Sequence, residues 1–190
     1  NFDKNLIKNY NKVDLVPFGE FLPLENFLNK VGFKTITNNF GSFSKGEKRK
    51  IIKMEKNFEN LSFLPLICYE IIYSGSLSKE NDYNFIINIS EDGWFGNSIG
   101  PSQHFVHTIF RSIEYGKYTL RSANNGITAI VSPIGLEVDR INIKNEGTIS
   151  IDKIKNVDKT LFSVLGNKIY FLIILLYIFL IFSFNRSKNE

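Results

Sequence analysis

Cys68 is the one cysteine of the chain, set in Leu66-Ile67-Cys68-Tyr69-Glu70-Ile71-Ile72 at the end of an apolar run. A thiol placed where a buried strand gives out, two residues before a carboxylate, reads as a nucleophile; the competing reading is a small packed hydrophobe that reacts with nothing. Nucleophilic catalysis through a thiol at a carbonyl requires a thiolate, a group that moves protons, and a donor that holds the oxyanion formed on the attacked carbonyl. Lys12 and Glu20 upstream and Glu70 beside the thiol are the charged side chains available for such duties, each with an ordinary surface or structural role as its alternative. Tyr69 and the pair Trp94-Phe95, between Gly93 and Gly96, offer aromatic surface suited to an acyl chain, or equally to plugging a core. His104 and His107 lie three apart on a helical stretch without cysteine or further histidine partners, so no metal site and no cofactor is expected. Asn124 and Asn125, before Gly126, read as turn chemistry.

The elements that must position these groups follow from periodicity. Lys12 to Glu20 reads as a short strand ended by Pro17 and Gly19, with Lys12 at its start and Glu20 at its exit, and Pro23 to Val31 has helical spacing through Leu24, Phe27 and Leu28. Thr35 to Lys50 is rich in Asn, Gly, Ser and Lys and reads as a loop. Leu61 to Tyr69 and Tyr83 to Ile89 are apolar enough for buried strands, which puts Cys68 and Ser90 at equivalent strand ends. Pro101 suits the first turn of a helix running through Phe105, Ile109 and Ile113; Leu120 to Ser132 returns to strand, and 138–143 with 147–151 alternate like a final hairpin. This order of strands and helices is an α/β layered architecture.

At 190 residues, with 43% hydrophobic and 22% charged, the chain is one globular domain plus an appendage. A single cysteine excludes an internal disulfide framework. The net charge of +4 is modest; its one cluster, Lys45, Lys48, Arg49, Lys50, Lys53 and Lys56, reads as a solvated loop and does not imply a nucleic-acid partner. The appendage runs from Ile169 to Phe184 without a charge, between Lys168 and Arg186. An apolar surface on every side of a helix calls for lipid in a chain this small, so residues 169–185 are expected to cross a membrane, with 161–168 as an interfacial connector and the basic tail 186–190 in the cytoplasm.

Taken together, Lys12 with Leu15-Val16-Pro17-Phe18-Gly19-Glu20-Phe21, then Ile67-Cys68-Tyr69-Glu70, then Ser90-Glu91-Asp92-Gly93-Trp94-Phe95-Gly96, resemble the nitrilase superfamily. Gly100-Pro101-Ser102-Gln103-His104-Phe105, Arg111, Glu114, Arg121, Ala123-Asn124-Asn125-Gly126-Ile127-Thr128-Ala129 and the apolar C-terminal stretch are similar to the C-terminal part of its bacterial apolipoprotein N-acyltransferase branch. The resemblance implies that residues 1–160 are the C-terminal part of a nitrilase-like αββα sandwich, followed by one transmembrane helix. It also implies a Glu-Lys-Cys triad whose lysine falls on Lys12 and whose thiol falls on Cys68, with a supporting glutamate on Glu20. The triad's general-base glutamate has no match in the chain, which begins at Asn1 without a methionine or signal-like segment; the expectation is a base and membrane helices upstream, and a piece inactive by itself. Glu91 and Gly93 depart from residues that other members often carry.

On this reading the chain takes an acyl group from a phospholipid onto Cys68 and passes it to the N-terminal amine of an apolipoprotein's lipidated cysteine. Tyr69, Glu70, Trp94 and Phe95 would bind substrate, and the enzyme would act as a monomer in a bacterial inner membrane with its catalytic domain in the periplasm. Two other readings stay open: a nitrilase-like amidase acting on small amides, and a membrane-bound module without catalysis.

Overall fold

The computed structural model describes residues 9–32, 43–54, 61–77 and 82–188, with side chains through Phe184. Lys56, residues 35–42 of the loop expected from Thr35 to Lys50, and the side chains of Arg186 and Lys188 lie outside the described residues. The centre is a six-stranded mixed sheet in simple chain order: β1 (Ile52–Lys53), β2 (Ser62–Ile67), β3 (Phe85–Glu91), β4 (Tyr118–Asn124), β5 (Thr128–Val131) and β6 (Glu137–Ile141). β2, β3 and β4 run parallel, and the flanking pairs are antiparallel. Of the parallel strands, β2 and the first half of β3 read as Ile, Leu and Phe runs because they are deeply covered.

Helix α1 (Glu25–Leu28) falls inside the stretch with helical spacing, and α2 (Gly100–Tyr115) begins with Pro101 in its first turn. α2 returns the chain from β3 to β4 and buries Phe105, Thr108, Ser112 and Tyr115, with Ser112 Oγ donating to Thr119 of β4 at 2.7 Å. One apolar cluster gathers Leu64, Leu66, Ile71, Leu77, Tyr83, Ile86 and Tyr115, and a second gathers Phe105, Ile127, Ala129 and Val131. The first of these packs on β2 and β3, beyond whose C-terminal ends the thiol and the Ser90 motif emerge.

Three expectations change. The segment from Lys12 to Glu20 is not a strand: it holds only an isolated bridge between Pro17 and Phe21, because its amide donors at Val13, Asp14 and Val16 go to carboxylates instead of to a neighbouring strand. The expected terminal hairpin is absent too, since β6 pairs with β5 and residues 147–151 form no strand. The third change concerns the C-terminus. α3 (Leu161–Leu165) leads to α4 (Lys168–Lys188), yet among the described residues no helix is long and apolar enough to cross a membrane. The uncharged run from Ile169 to Phe184 spans roughly 24 Å at helical rise, short of the roughly 30 Å of a hydrocarbon core. What stands in place of the expected span is an apolar helix with Phe171, Leu175, Phe179 and Phe182 exposed.

Candidate active site

Cys68 is the first residue beyond β2 and the first of a 3-10 turn, Cys68–Ile72. Its φ is +51°, a left-handed conformation that a non-glycine residue adopts at a cost and that turns the chain sharply from strand into helix. The thiol is partly buried. Such a conformation persists only where the surroundings impose it, and here the turn is tied at three points. Asn88 Nδ2 donates to the Cys68 carbonyl at 3.4 Å, the Ile67 amide donates to Glu70 at 2.7 Å, and Arg111 Nη1 donates to the Ile72 carbonyl at 3.1 Å.

Glu70 is where sequence and structure part. Projection toward a substrate required β2 to continue past Cys68, but the strand ends at Ile67, so the 3-10 turn carries the carboxylate inward, where it is fully buried. There it accepts hydrogen bonds from the Val13 amide at 2.8 Å, the Asp14 amide at 3.1 Å, the Ile67 amide at 2.7 Å and the Tyr10 hydroxyl at 2.9 Å. Glu70 is therefore a strut joining the thiol's turn to the backbone that carries Lys12. Replacing it by glutamine puts an amide donor among four donors; a stability loss of about 2–3 kcal/mol, read from the denaturant midpoint, is expected. An unchanged midpoint would contradict the strut.

Lys12 lies on the segment so held. Its backbone carbonyl accepts from the Gly46 amide at 2.7 Å, and a side chain at Gly46 would collide with the Asn11 carbonyl, so only glycine lets the two strands of chain approach this closely. Lys12 Nζ donates to both carboxylate oxygens of Glu20, at 2.7 and 2.8 Å, with both side chains largely buried. Glu20 also accepts from the Val16 amide at 2.9 Å, which fixes the carboxylate on its own loop. Glu20 thus grips Lys12 and its own loop together.

The aromatic residues sit on the other side of the thiol's turn. Trp94, 56% exposed, and Phe95 lie on a 3-10 turn, Asp92–Phe95, just past β3, and the exposed indole is not a core plug. Glu91 fixes this turn by accepting from the Gly93 amide at 2.7 Å and from Asn125 Nδ2 at 3.1 Å and Asn124 Nδ2 at 2.5 Å. Bonds from Asn125 and Gly93 hold the Glu91 carboxyl below the usual range. A cavity of about 390 Å³ opens between the two turns, lined by Tyr69 and Ile72 on one side and Phe95, Ile99, His104 and His107 on the other. Tyr69 and Phe95 both line the cavity; Trp94 does not.

Beneath the site lies a buried polar cluster that sequence reasoning did not assemble. Arg121 of β4 donates from Nη1 to Asn88 Oδ1, from Nη2 to Asp92 Oδ2 at 2.7 Å and from Nε to the Ile127 carbonyl at 3.2 Å. Asp92 Oδ1 faces His104 Nδ1 at 2.8 Å and accepts from Ser90 Oγ at 2.6 Å. Burial opposes ionisation of Asp92, but His104, Arg121 and Ser90 outweigh it and hold the carboxyl below its usual value. A side chain at Gly126 would strike Asp92, so the Asn124-Asn125-Gly126 turn can close over the cluster only as glycine. Two signals were available in the sequence: a polar Asn88 interrupting Phe-Ile-Ile-Asn-Ile, and Arg121 in the middle of strand β4. Their meeting depends on the β3 to β4 register, which makes them direct neighbours.

Among the described residues no group of three His, Cys, Asp or Glu side chains is placed to hold a metal ion.

The carbon-nitrogen hydrolase family model matches residues 1–156 of the chain. The apolipoprotein N-acyltransferase of Bradyrhizobium diazoefficiens is 37% identical over 166 residues, which is 87% of this chain and 30% of that protein. That of Rickettsia prowazekii is 38% identical over 167 residues, 87% of this chain and 32% of the relative. The chain thus spans about a third of the length of the curated relatives it matches. Among solved structures, an amidase from Nesterenkonia sp. AN1 aligns with a TM-score of 0.47 and 14% identity over 72% of this chain and 48% of that one.

Proposed function

This chain belongs to the carbon-nitrogen hydrolase family, and from that premise we propose that it carries the thiol half of an N-acyltransferase acting on lipoproteins, with residues 1–160 as the C-terminal part of a nitrilase-like αββα sandwich. The observation that carries the reading is the strained, three-point-anchored Cys68 turn, coupled through Glu70 to the segment that presents Lys12. The relatives named for apolipoprotein N-acylation support the choice of acceptor.

In the first half of the reaction the Cys68 thiolate attacks an ester carbonyl of a phospholipid. The C–S bond forms, the tetrahedral oxyanion is held by the Lys12 ammonium, and the C–O bond breaks to release a lysophospholipid that takes up one proton. In the second half an N-terminal amine attacks the thioester carbonyl, the C–N bond forms, the C–S bond breaks, and the proton lost by the amine balances the one taken up before. Glu20 keeps the Lys12 ammonium in place throughout. Tyr69 and Phe95 line the substrate cavity, and the exposed Trp94 indole is on the same turn as Phe95. The uncharged stretch 169–184 of α4, exposed on every side in this chain, lies in lipid and keeps the thiol at a bacterial inner-membrane surface, and the catalytic domain acts as a monomer from the periplasmic side.

The test uses the full-length protein in phosphatidylethanolamine vesicles with a diacylglyceryl lipopeptide. Lys12→Met is expected to lower kcat by roughly 10²–10³-fold, the range for losing one oxyanion donor. Transfer at the unaltered rate in that variant would remove Lys12 from the chemistry. Ammonia release from small amides, with no acyl transfer by the unaltered protein, would favour the amidase reading.

A further inference from the structure

His104 stands in the first turns of α2 with its side chain almost wholly buried, yet it lines the cavity between the thiol's turn and the Trp94-Phe95 turn. Its Nδ1 is committed to Asp92 at 2.8 Å, and Asp92 in turn is held by Arg121. Facing that carboxylate, with Arg121 Nη2 also 3.2 Å away, Nδ1 is the donor to Asp92, and in this tautomer Nε2 is left as an acceptor. Nε2 is shielded from water and has no hydrogen-bond partner among the described residues, with the Phe95 ring stacked obliquely 5.5 Å from the imidazole.

An unpaired buried acceptor is costly, and a hydrocarbon filling the cavity would leave it unpaired. A ligand bearing an N–H satisfies it, and the Asp92 carboxylate behind the ring strengthens the acceptor for a cationic or strongly polarised nitrogen. Of the two substrates in the proposed reaction, only the acyl acceptor brings such a nitrogen to the reacting centre; the phospholipid's ester region has none. The cavity also abuts the right place: Tyr69, the residue after Cys68, forms its opposite wall. Side chains continue the link, from His104 through Asp92, Arg121 and Asn88 to the Cys68 carbonyl.

Resting on the acyltransferase reading, we propose that His104 Nε2 is the acceptor-amine site: the incoming α-amine donates an N–H to it and is thereby aimed at the Cys68 thioester. The donor half of the reaction does not use it.

The experiment separates the halves in the full-length protein. His104→Asn retains a donor near the Nδ1 position toward Asp92 and deletes Nε2. It is expected to acylate Cys68 from phosphatidylethanolamine vesicles within about twofold of the unaltered rate, while aminolysis by the diacylglyceryl lipopeptide falls roughly 10- to 100-fold, mainly as a higher KM for the lipopeptide. His104→Gln, which keeps an acceptor near the Nε2 position, is expected to recover part of that loss. Normal aminolysis by His104→Asn, or an equal loss in both halves, overturns the proposal, because His104 then acts as a structural prop. A second measurement stands independently of how the variants fold: in Cys68→Ser, the ¹⁵N resonance of His104 Nε2 should move when the free-amine lipopeptide is added and not when its N-acetylated form is added. Identical responses to the two peptides overturn the proposal. Failure of the unaltered protein to form any acyl-Cys68 overturns the acyltransferase reading itself, a result distinct from normal acyl-Cys68 with unchanged aminolysis.

Discussion

Cys68→Ala in the full-length protein is expected to reduce acyl transfer by about 10⁴-fold or more, the scale seen when a covalent nucleophile is deleted. The effect should fall on kcat, because the cavity walls at Tyr69 and Phe95 remain and substrate still binds. Cys68→Ser should be nearly as damaging, since a hydroxyl in the same turn lacks the intrinsic nucleophilicity of a thiolate and no neighbouring base is positioned on it among the described residues. Stability should change little in either variant. The turn is held by the Cys68 backbone carbonyl, by Glu70 and by Arg111, none of which involves Sγ. Activity within tenfold of the unaltered protein would restore the reading of Cys68 as a packing residue.

The second large effect concerns folding. Arg121 and Asp92 are both buried and paired at 2.7 Å, and each also satisfies other groups. Asp92→Asn leaves the guanidinium buried without its counter-charge, and a loss of about 3–5 kcal/mol is expected, the range for breaking one side of a buried ion pair. Calorimetry or denaturant unfolding measures it directly. Arg121→Leu should cost a similar amount, and because both single variants remove the same pair, the double variant should cost clearly less than their sum. The sign of the pH dependence follows from Asp92. Its folded value lies below the usual 3.8, so its contribution to stability is fully present above 3.8 and is lost as pH falls through the lower folded value. Asp92→Asn should therefore flatten the acid limb of the stability curve. An acid limb of unchanged slope would mean that other carboxylates govern it.

How much of this was legible in the residues differs from feature to feature, for physical reasons. Cys68 at a strand exit, Pro101 in the first turn of α2 and the turn at Asn124-Asn125-Gly126 are local signals, each carried by a few adjacent side chains, and all three reappear in the fold. The Glu20 bond to Lys12 was also within reach, because the two lie eight residues apart on one loop. Glu70 was not, since its direction depends on whether β2 continues past Cys68, and a left-handed residue there reverses the inference drawn from strand alternation. The Asn88, Asp92, His104 and Arg121 cluster was still less accessible: it joins two parallel strands, a 3-10 turn and a helix, and nothing in the spacing gives their register. Lys12 to Glu20 misled for the opposite reason. It has the composition of a strand, but carboxylates take its amide donors and, among the described residues, no strand pairs with it beyond the Pro17 to Phe21 bridge. The C-terminal apolar run was read by composition as a span, and its uncharged helical length falls short of a hydrocarbon core.

The central claim is that Cys68 carries the acyl group, and mass spectrometry of the full-length protein after incubation with phosphatidylethanolamine vesicles, without acceptor, tests it most directly. The peptide containing Cys68 should gain the mass of one acyl chain through a hydroxylamine-labile bond, and should lose it when the diacylglyceryl lipopeptide is added, with the lipopeptide gaining the same mass. Acylated lipopeptide forming at its full rate while Cys68 stays unmodified, or while Cys68→Ala supports the same transfer, would contradict the account.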